Sequence, residues 1–316
     1  MQVRLILTLT LVIAALLRYA PPDAAAATPV EVVAYGDSVT YLGDYLDEWG
    51  SHIRRDLQVT PDVTMRAAPG WRSGDLRSAL ESDPAFWEPL ATADLVVVNI
   101  GYNDFFGMRS AYLEGSCGGD AGTACFDALV DTFATNWDAI MHVITARIRS
   151  SESALRVTDI YYSTAGLDQL PEYGNAFQVL SPYLARMNEH IHARAAHYGY
   201  EVAMVHLAYN GASGDEDPYA KGYLLSDVIH PSVSGHRVIA DALRATGYAP
   251  LERTCADVDG NGVVNSADLG HIAYRFGTAV ADDEWISVDV NADGHVNASD
   301  LGITAAQFSR RCSQRA

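Results

Sequence analysis

Leu95-Val96-Val97-Val98-Asn99-Ile100, running into Gly101-Tyr102-Asn103-Asp104, is the stretch on which the fold turns. Its first four residues show no polar alternation. A strand with one wet face alternates apolar and polar, so an unbroken apolar run ending in a glycine turn marks a strand covered on both faces, as in a parallel sheet. Working outward, four further short apolar runs predict strands at residues 30–34, 63–67, 155–161 and 202–207. Between them, amphipathic stretches predict helices at 41–55, 74–82, 126–150, 182–197 and 233–246. Strands alternating with helices imply an α/β layer fold with right-handed crossovers, whose chemistry gathers at the carboxyl ends of the strands.

The chain of 316 residues holds 40 acidic and 21 basic side chains, a net charge of −19, which excludes a binder held by nucleic-acid phosphates or by an anionic membrane surface. Apolar residues at 49% and charged residues at 19% are enough for a large core, so general disorder is excluded as well. Arg4, an apolar run at 5–17 and the small residues Ala24 to Ala27 have the order of a secretory signal peptide, expected at residues 1–27; an uncleaved anchor is the alternative. No other stretch is apolar for long enough to span a membrane, so a secreted, extracellular monomer is expected. Four cysteines suit an oxidising compartment, and position favours Cys117 with Cys125 and Cys255 with Cys312. No C-x-x-C pair suggests zinc.

The strand ends carry the chemistry. Tyr35-Gly36-Asp37-Ser38-Val39 places a serine just past the first strand, although Gly-Asp-Ser is also ordinary turn sequence. Asn103, brought up by the glycine turn after the strand at 95–100, can donate an N–H to a developing oxyanion. Gly70, near the end of the strand at 63–67, offers a backbone N–H with no side chain in the way. Downstream, Asp227-Val228-Ile229-His230-Pro231 sets an aspartate three residues before a histidine. That carboxylate can turn back to the Nδ1–H and leave Nε2 free for a serine.

These four blocks together resemble the SGNH or GDSL family of serine esterases and acylhydrolases, over about residues 30–250. The resemblance implies Ser38 as nucleophile, His230 as general base and acid, and Asp227 as its orienter. It implies an oxyanion hole of the Ser38 and Gly70 N–H groups and the Asn103 side chain. It also implies a flavodoxin-like three-layer α/β/α sandwich with strand order 2-1-3-4-5, and no cofactor for catalysis. Val39 stands where the name motif has leucine, and Ala68-Pro69-Gly70-Trp71 lacks the asparagine frequent in the second block. His190 and His197 lie seven residues apart on one helix, the wrong spacing to share a metal.

After Leu251 the composition changes, with residues 251–254 read as a linker and 255–316 as a second domain. Two twelve-residue loops offer oxygen ligands at the positions a calcium loop requires. The first gives Asp257, Asp259, Asn261, the Val263 carbonyl, Asn265 and Asp268. The second gives Asp289, Asn291, Asp293, the His295 carbonyl, Asn297 and Asp300. Gly262 and Gly294 make the turns. Two structural Ca²⁺ ions are expected; Asn297 also heads a glycosylation sequon. The repeated pattern, each loop followed by a helix (269–276 and 301–310), resembles a type I dockerin, a small all-α paired F-hand domain. The resemblance implies attachment to a cohesin or cell-surface scaffold. Ser266-Ala267 and Ala298-Ser299 occupy the selecting positions, and Ala273-Tyr274 and Ala305-Ala306 replace the Lys-Arg pair often found further along the helix.

The sequence therefore predicts a serine esterase acting on acyl esters, with acetyl groups on plant polysaccharides such as xylan or pectin as the expected target. The alternatives are a lipase or aryl-esterase on small or lipid esters, or a non-catalytic scaffold or binding protein. A calcium sensor is disfavoured, because an exported chain meets steadily high calcium.

Overall fold

The computed structural model describes residues 29–57, 59–149, 152–251, 255–280, 288–291 and 294–312. The expected signal peptide at 1–27, linker residues 252–254 and the candidate ligand Asp293 lie outside the described residues. Five parallel strands, β1 (Val30–Gly36), β2 (Pro61–Ala67), β3 (Leu95–Asn99), β4 (Ala154–Thr158) and β5 (Glu201–Ala203), form one sheet in the order β2-β1-β3-β4-β5. This is the expected three-layer sandwich, and every residue of β3 and β4 is buried. Chain direction across the sheet reverses between β1 and β3, which opens a crevice at their carboxyl ends. Gly36-Asp37-Ser38 and Gly101-Tyr102-Asn103 leave the sheet there.

The helices of the sandwich are α1 (Ser38–Leu42), α2 (Asp44–Leu57), α3 (Ser73–Ser82), α4 (Pro84–Trp87), α5 (Tyr102–Leu113), α6 (Phe126–Thr145), α7 (Ala165–Asp168), α8 (Ala176–Tyr198), α9 (Val205–Asn210) and α10 (Val233–Ala245). Helix α2 packs on α10, while α3 and α8 pack on α6. Trp49 and Trp137 are both fully buried in the resulting core.

Several sequence expectations are corrected. The helix expected at 41–55 is two helices, because Gly43 takes a left-handed φ of 82° and ends α1, which itself begins at Ser38. The strand expected at 155–161 stops at Thr158. Beyond it, the Ile160 N–H and C=O pair with the side chain of Asn188, and those of Tyr162 with the side chain of Asn210. Two amides thus replace a strand ladder beneath a buried segment. The strand expected at 202–207 ends at Ala203, and α9 follows. Helix α5 has no counterpart in the sequence reading. Its buried residues include Arg109, whose charge breaks the apolar pattern and which is held by the buried Asp168 at 2.6 Å. Among the described residues no helix is long and apolar enough to cross a membrane.

The C-terminal unit contains α11 (Ser266–Tyr274) and α12 (Ala298–Ala306) around a core of Ile272, Val280, Val288 and Val296. Both helices start inside the loops, earlier than expected. Asn265 and Asn297 cap them, and Asp268 and Asp300 reach back to the cap N–H at 2.7 and 2.8 Å. Cys117 is bonded to Cys125 and Cys255 to Cys312, the pairings expected.

Candidate active site and calcium loops

The segment Asp227 to Pro231 bends back on itself through Val228, a β-branched residue in the left-handed region at φ 54°. Asp227 holds the bend. Its Oδ1 accepts the N–H groups of Ile229 and His230 at 2.9 and 3.0 Å, which leaves Oδ2 for His230 Nδ1 at 2.7 Å. Burial works to raise the Asp227 pKa, but these hydrogen bonds outweigh it and hold the carboxyl below the usual carboxylate range. The other ring nitrogen, His230 Nε2, lies 3.0 Å from Ser38 Oγ. A hydrogen bond from the Tyr161 hydroxyl to the Ile229 carbonyl at 3.0 Å ties this bend to the end of the sheet.

Beneath the serine, Asp37 is fully buried and caps α1 by accepting the Val39 N–H at 3.0 Å. Burial pushes its pKa up to about 7, against the Val39 hydrogen bond and with the nearby Asp104 carboxylate adding to the rise. Asn103 Nδ2 donates to the Trp71 carbonyl at 2.9 Å and lies 3.4 Å from Asp37 Oδ2. The asparagine is therefore held between the Ser38 turn and the Gly70-Trp71 turn. Gly70 has φ 78°, and a Cβ there would meet no atom within 4 Å, so its backbone faces open space. Asp104 fixes the start of α3 by accepting from Ser73 Oγ at 2.6 Å and Ser73 N at 2.8 Å.

The structure thus brings Ser38, His230 and Asp227 into one hydrogen-bonded line and sets Asn103 beside the Gly70 turn. Sequence reasoning missed Asp37, the Trp71 carbonyl and the Ser73–Asp104 pair. Asp37 and Asp104 sit inside the Gly36–Val39 and Gly101–Asp104 motifs, but neither the burial of Asp37 nor the Asp104 contact to Ser73 is written there. His190 and His197 are apart from this site; His190 Nε2 contacts Asp138 at 3.3 Å and the His197 ring packs on Tyr198.

In the first acidic loop, carboxylate oxygens of Asp257, Asp259 and Asp268 lie within 4.8 Å of one another, with Asp268 fully buried. Asp257 accepts the N–H groups of Asn261 and Gly262, and Gly262 turns at φ 88°. The second loop repeats the plan. Asp289 accepts from Gly294 at 3.0 Å, and Asp300 accepts from Val290 and Asn291 at 2.7 and 3.2 Å. Crowded hard oxygens around a glycine turn fit a calcium ion.

Residues 34–238 match the family model of the GDSL-like lipase/acylhydrolase family, well over half of the chain. The chain belongs to that family. As a GDSL-like acylhydrolase it is a carboxylic ester hydrolase, and residues 255–307 match the type I dockerin domain. Among solved structures this acylhydrolase is similar to the lipase Lip_vut3 from a goat rumen metagenome, at 19% identity and TM-score 0.57 over 71% of this chain and 100% of that one. It is similar to Axe2, an acetylxylan esterase from Geobacillus stearothermophilus, at 18% identity and TM-score 0.50 over 72% and 99% of the two chains. LAE5, an alpha/beta hydrolase enzyme from the metagenome of Lake Arreo, aligns at 18% identity and TM-score 0.51 over 70% and 97%. These likenesses concern the fold. No curated protein matches the acylhydrolase in sequence.

Proposed function

We propose that this chain is a secreted serine esterase that removes acyl groups from plant polysaccharides, acetyl groups on xylan or pectin among them. In this reading residues 1–27 direct export, 28–250 carry the chemistry, and 255–316 attach the enzyme, through 251–254, to a cohesin or cell-surface scaffold. The observation that carries the chemistry is the line from Asp227 through His230 to Ser38, at 2.7 and 3.0 Å. Asp227 fixes the tautomer with Nδ1 protonated, so Nε2 can take the Ser38 proton as Oγ attacks the ester carbonyl. The oxyanion that forms would accept the N–H groups of Ser38 and Gly70 and the Asn103 amide, whose contact to Asp37 at 3.4 Å is the one readily exchanged. His230 then returns the proton to the departing alcohol. Water activated by the same nitrogen attacks the acyl-serine ester, and the acid leaves with Ser38 restored.

Two Ca²⁺ ions would be held by the ligands of the two loops, Asp293 included, and would supply charge neutralisation that folds the small module. The polysaccharide reading is supported by the type I dockerin match and by the similarity to an acetylxylan esterase. Treatment with a fluorophosphonate tests the chemistry. Peptide mass spectrometry is expected to find the adduct on Ser38, together with loss of aryl-acetate hydrolysis. An active protein labelled elsewhere, or not labelled, would reject the serine mechanism.

A further inference from the structure

A cavity of about 460 Å³ opens beside Gly70 and Asn103. One of its walls is a single face of α5. Asn103, Phe106, Gly107, Ser110, Ala111 and Glu114 recur at the three- and four-residue spacing that stacks side chains along a helix. From Asn103 to Glu114 that face runs about 16 Å at the helical rise per residue. Arg72, next to the Gly70 turn, also lines the cavity with its guanidinium against Gly107, and Ser116 lines it beyond Glu114. The far end is anchored: Cys117, the next residue, is bonded to Cys125, and the Ser116 N–H is held by the Ala111 carbonyl at 2.9 Å.

The groove changes character along its length. Near Asn103 it presents the Phe106 ring, which stacks on Tyr102 with centroids 6.0 Å apart, and Gly107. Further out come the Ser110 and Ser116 hydroxyls and the Glu114 carboxylate. The Arg72 guanidinium lies near enough to the Asp104 carboxylate to favour its ionised form, and a Cβ at Gly107 would stand 2.8 Å from its Nη2. Glycine is a poor helix former, and here its small size lets the Arg72 guanidinium lie directly against α5.

Chemistry decides which half of an ester lies here. His230 must protonate the leaving oxygen, so the alcohol sits on the His230 side of Ser38. The groove is lined by neither Ser38 nor His230 and begins at two candidate oxyanion donors, Gly70 and Asn103. That is the side left for the acyl group. An acetyl methyl would fill only its mouth. Resting on the serine-esterase reading above, the geometry points to an acyl-binding groove for an extended acyl group, with a flat unsaturated or aromatic body against Phe106 and a hydroxyl-bearing far end. A phenolic hydroxyl can donate to Glu114 and accept from Arg72, which a bare carboxylate or an alkyl tail cannot do.

The test uses the full chain with calcium present and methyl esters in which only the acyl part varies: acetate, hexanoate, cinnamate and 4-hydroxycinnamate. Glucose pentaacetate is added as an acetyl ester of a sugar. The expected result is a kcat/KM for 4-hydroxycinnamate at least tenfold above acetate and above hexanoate. Ser110→Phe, which fills the groove, is expected to cut the hydroxycinnamate-to-acetate ratio at least tenfold. Gly107→Ala, which adds the better helix former and crowds Arg72, is expected to cut it in the same direction with an unchanged melting curve. Acetate preferred over every longer acyl group would overturn the groove while leaving the esterase reading intact. A preference for the sugar acetate that disappears in Ser110→Phe would overturn it too, by assigning the groove to the alcohol. Turnover of none of these esters would overturn the esterase reading and the groove with it.

Discussion

The Tyr161 hydroxyl donates to the Ile229 carbonyl at 3.0 Å, so a buried ring just past β4 holds the residue that precedes His230. The ring itself is fixed by packing on Tyr102 and Tyr209, at centroid distances of 5.4 and 4.5 Å. Tyr161→Phe keeps that packing and removes the tie. A hydrogen bond of this kind contributes about 1 kcal/mol, so kcat is expected to fall about fivefold with KM unchanged. Steady-state kinetics beside thermal melting check this. A lowered melting temperature with full kcat would make the contact structural only.

If Ser38, His230 and Asp227 act as the proposed triad, Ser38→Ala is expected to lower kcat for aryl acetate by about 10⁶, because such a triad acts as a unit. In the proposed mechanism Asn103→Ala removes one oxyanion donor of three, and it is expected to cost about 10² to 10³. The two losses are separable in one single-turnover assay. Equal losses would mean that Asn103 acts by joining the Ser38 and Trp71 turns rather than by meeting the oxyanion.

Asp37 gives a pH signature. Its folded-state pKa of about 7 stands above the ordinary 3.8 because the carboxyl is buried. Between those values the folded chain binds more protons than the unfolded chain, so this group costs stability as pH rises from about 4 to 7. Asp37→Asn removes the titration and keeps a residue suited to capping α1. The stability of the variant relative to the parent is expected to rise steadily across that window. Urea unfolding followed by tryptophan fluorescence reports mainly on the sandwich, which holds Trp49, Trp71, Trp87 and Trp137, four of the five tryptophans. A difference that stays flat with pH would place the ionised form of Asp37 in the folded state throughout.

How far the sequence could be read follows from where each interaction lies. Ser38 and Asn103 stand in short segments at strand ends, and Asp227 and His230 share a four-residue segment before α10 that sets the distance between them. The buried run at β3 named the sheet type because a strand covered on both faces cannot alternate. Residues 159–161 looked like more strand because they are as buried as one. The backbone partners of Ile160 and Tyr162, the amides of Asn188 and Asn210, are far off in sequence and cannot be inferred from local pattern. Helix α5 was hidden for the same reason, since Arg109 is acceptable inside only because Asp168 comes to meet it. The groove along α5 was hidden with it.

The two parts of the chain are expected to differ in their need for calcium. The described C-terminal segments bury only a small core around Ile272, Val280, Val288 and Val296, too little to fold about sixty residues securely. Against that core stand three carboxylate groups of the first loop, with oxygens within 4.8 Å of one another. Their repulsion in the absence of a cation opposes the fold that binding would favour. The Cys255–Cys312 bond closes 57 residues and restricts the unfolded chain, which in the loop-entropy picture adds about 4 kcal/mol but does not remove the repulsion. The sandwich has its own sheet and a separate core. Chelation with EDTA is therefore expected to abolish a calcium-dependent calorimetric transition belonging to residues 255–316, while aryl-ester hydrolysis stays within about twofold. Asp268→Asn and Asp300→Asn, each removing one buried position-12 carboxylate, are expected to weaken calcium binding without changing kcat. Ester hydrolysis that fell in step with the calcium transition would show that the module supports the catalytic domain directly.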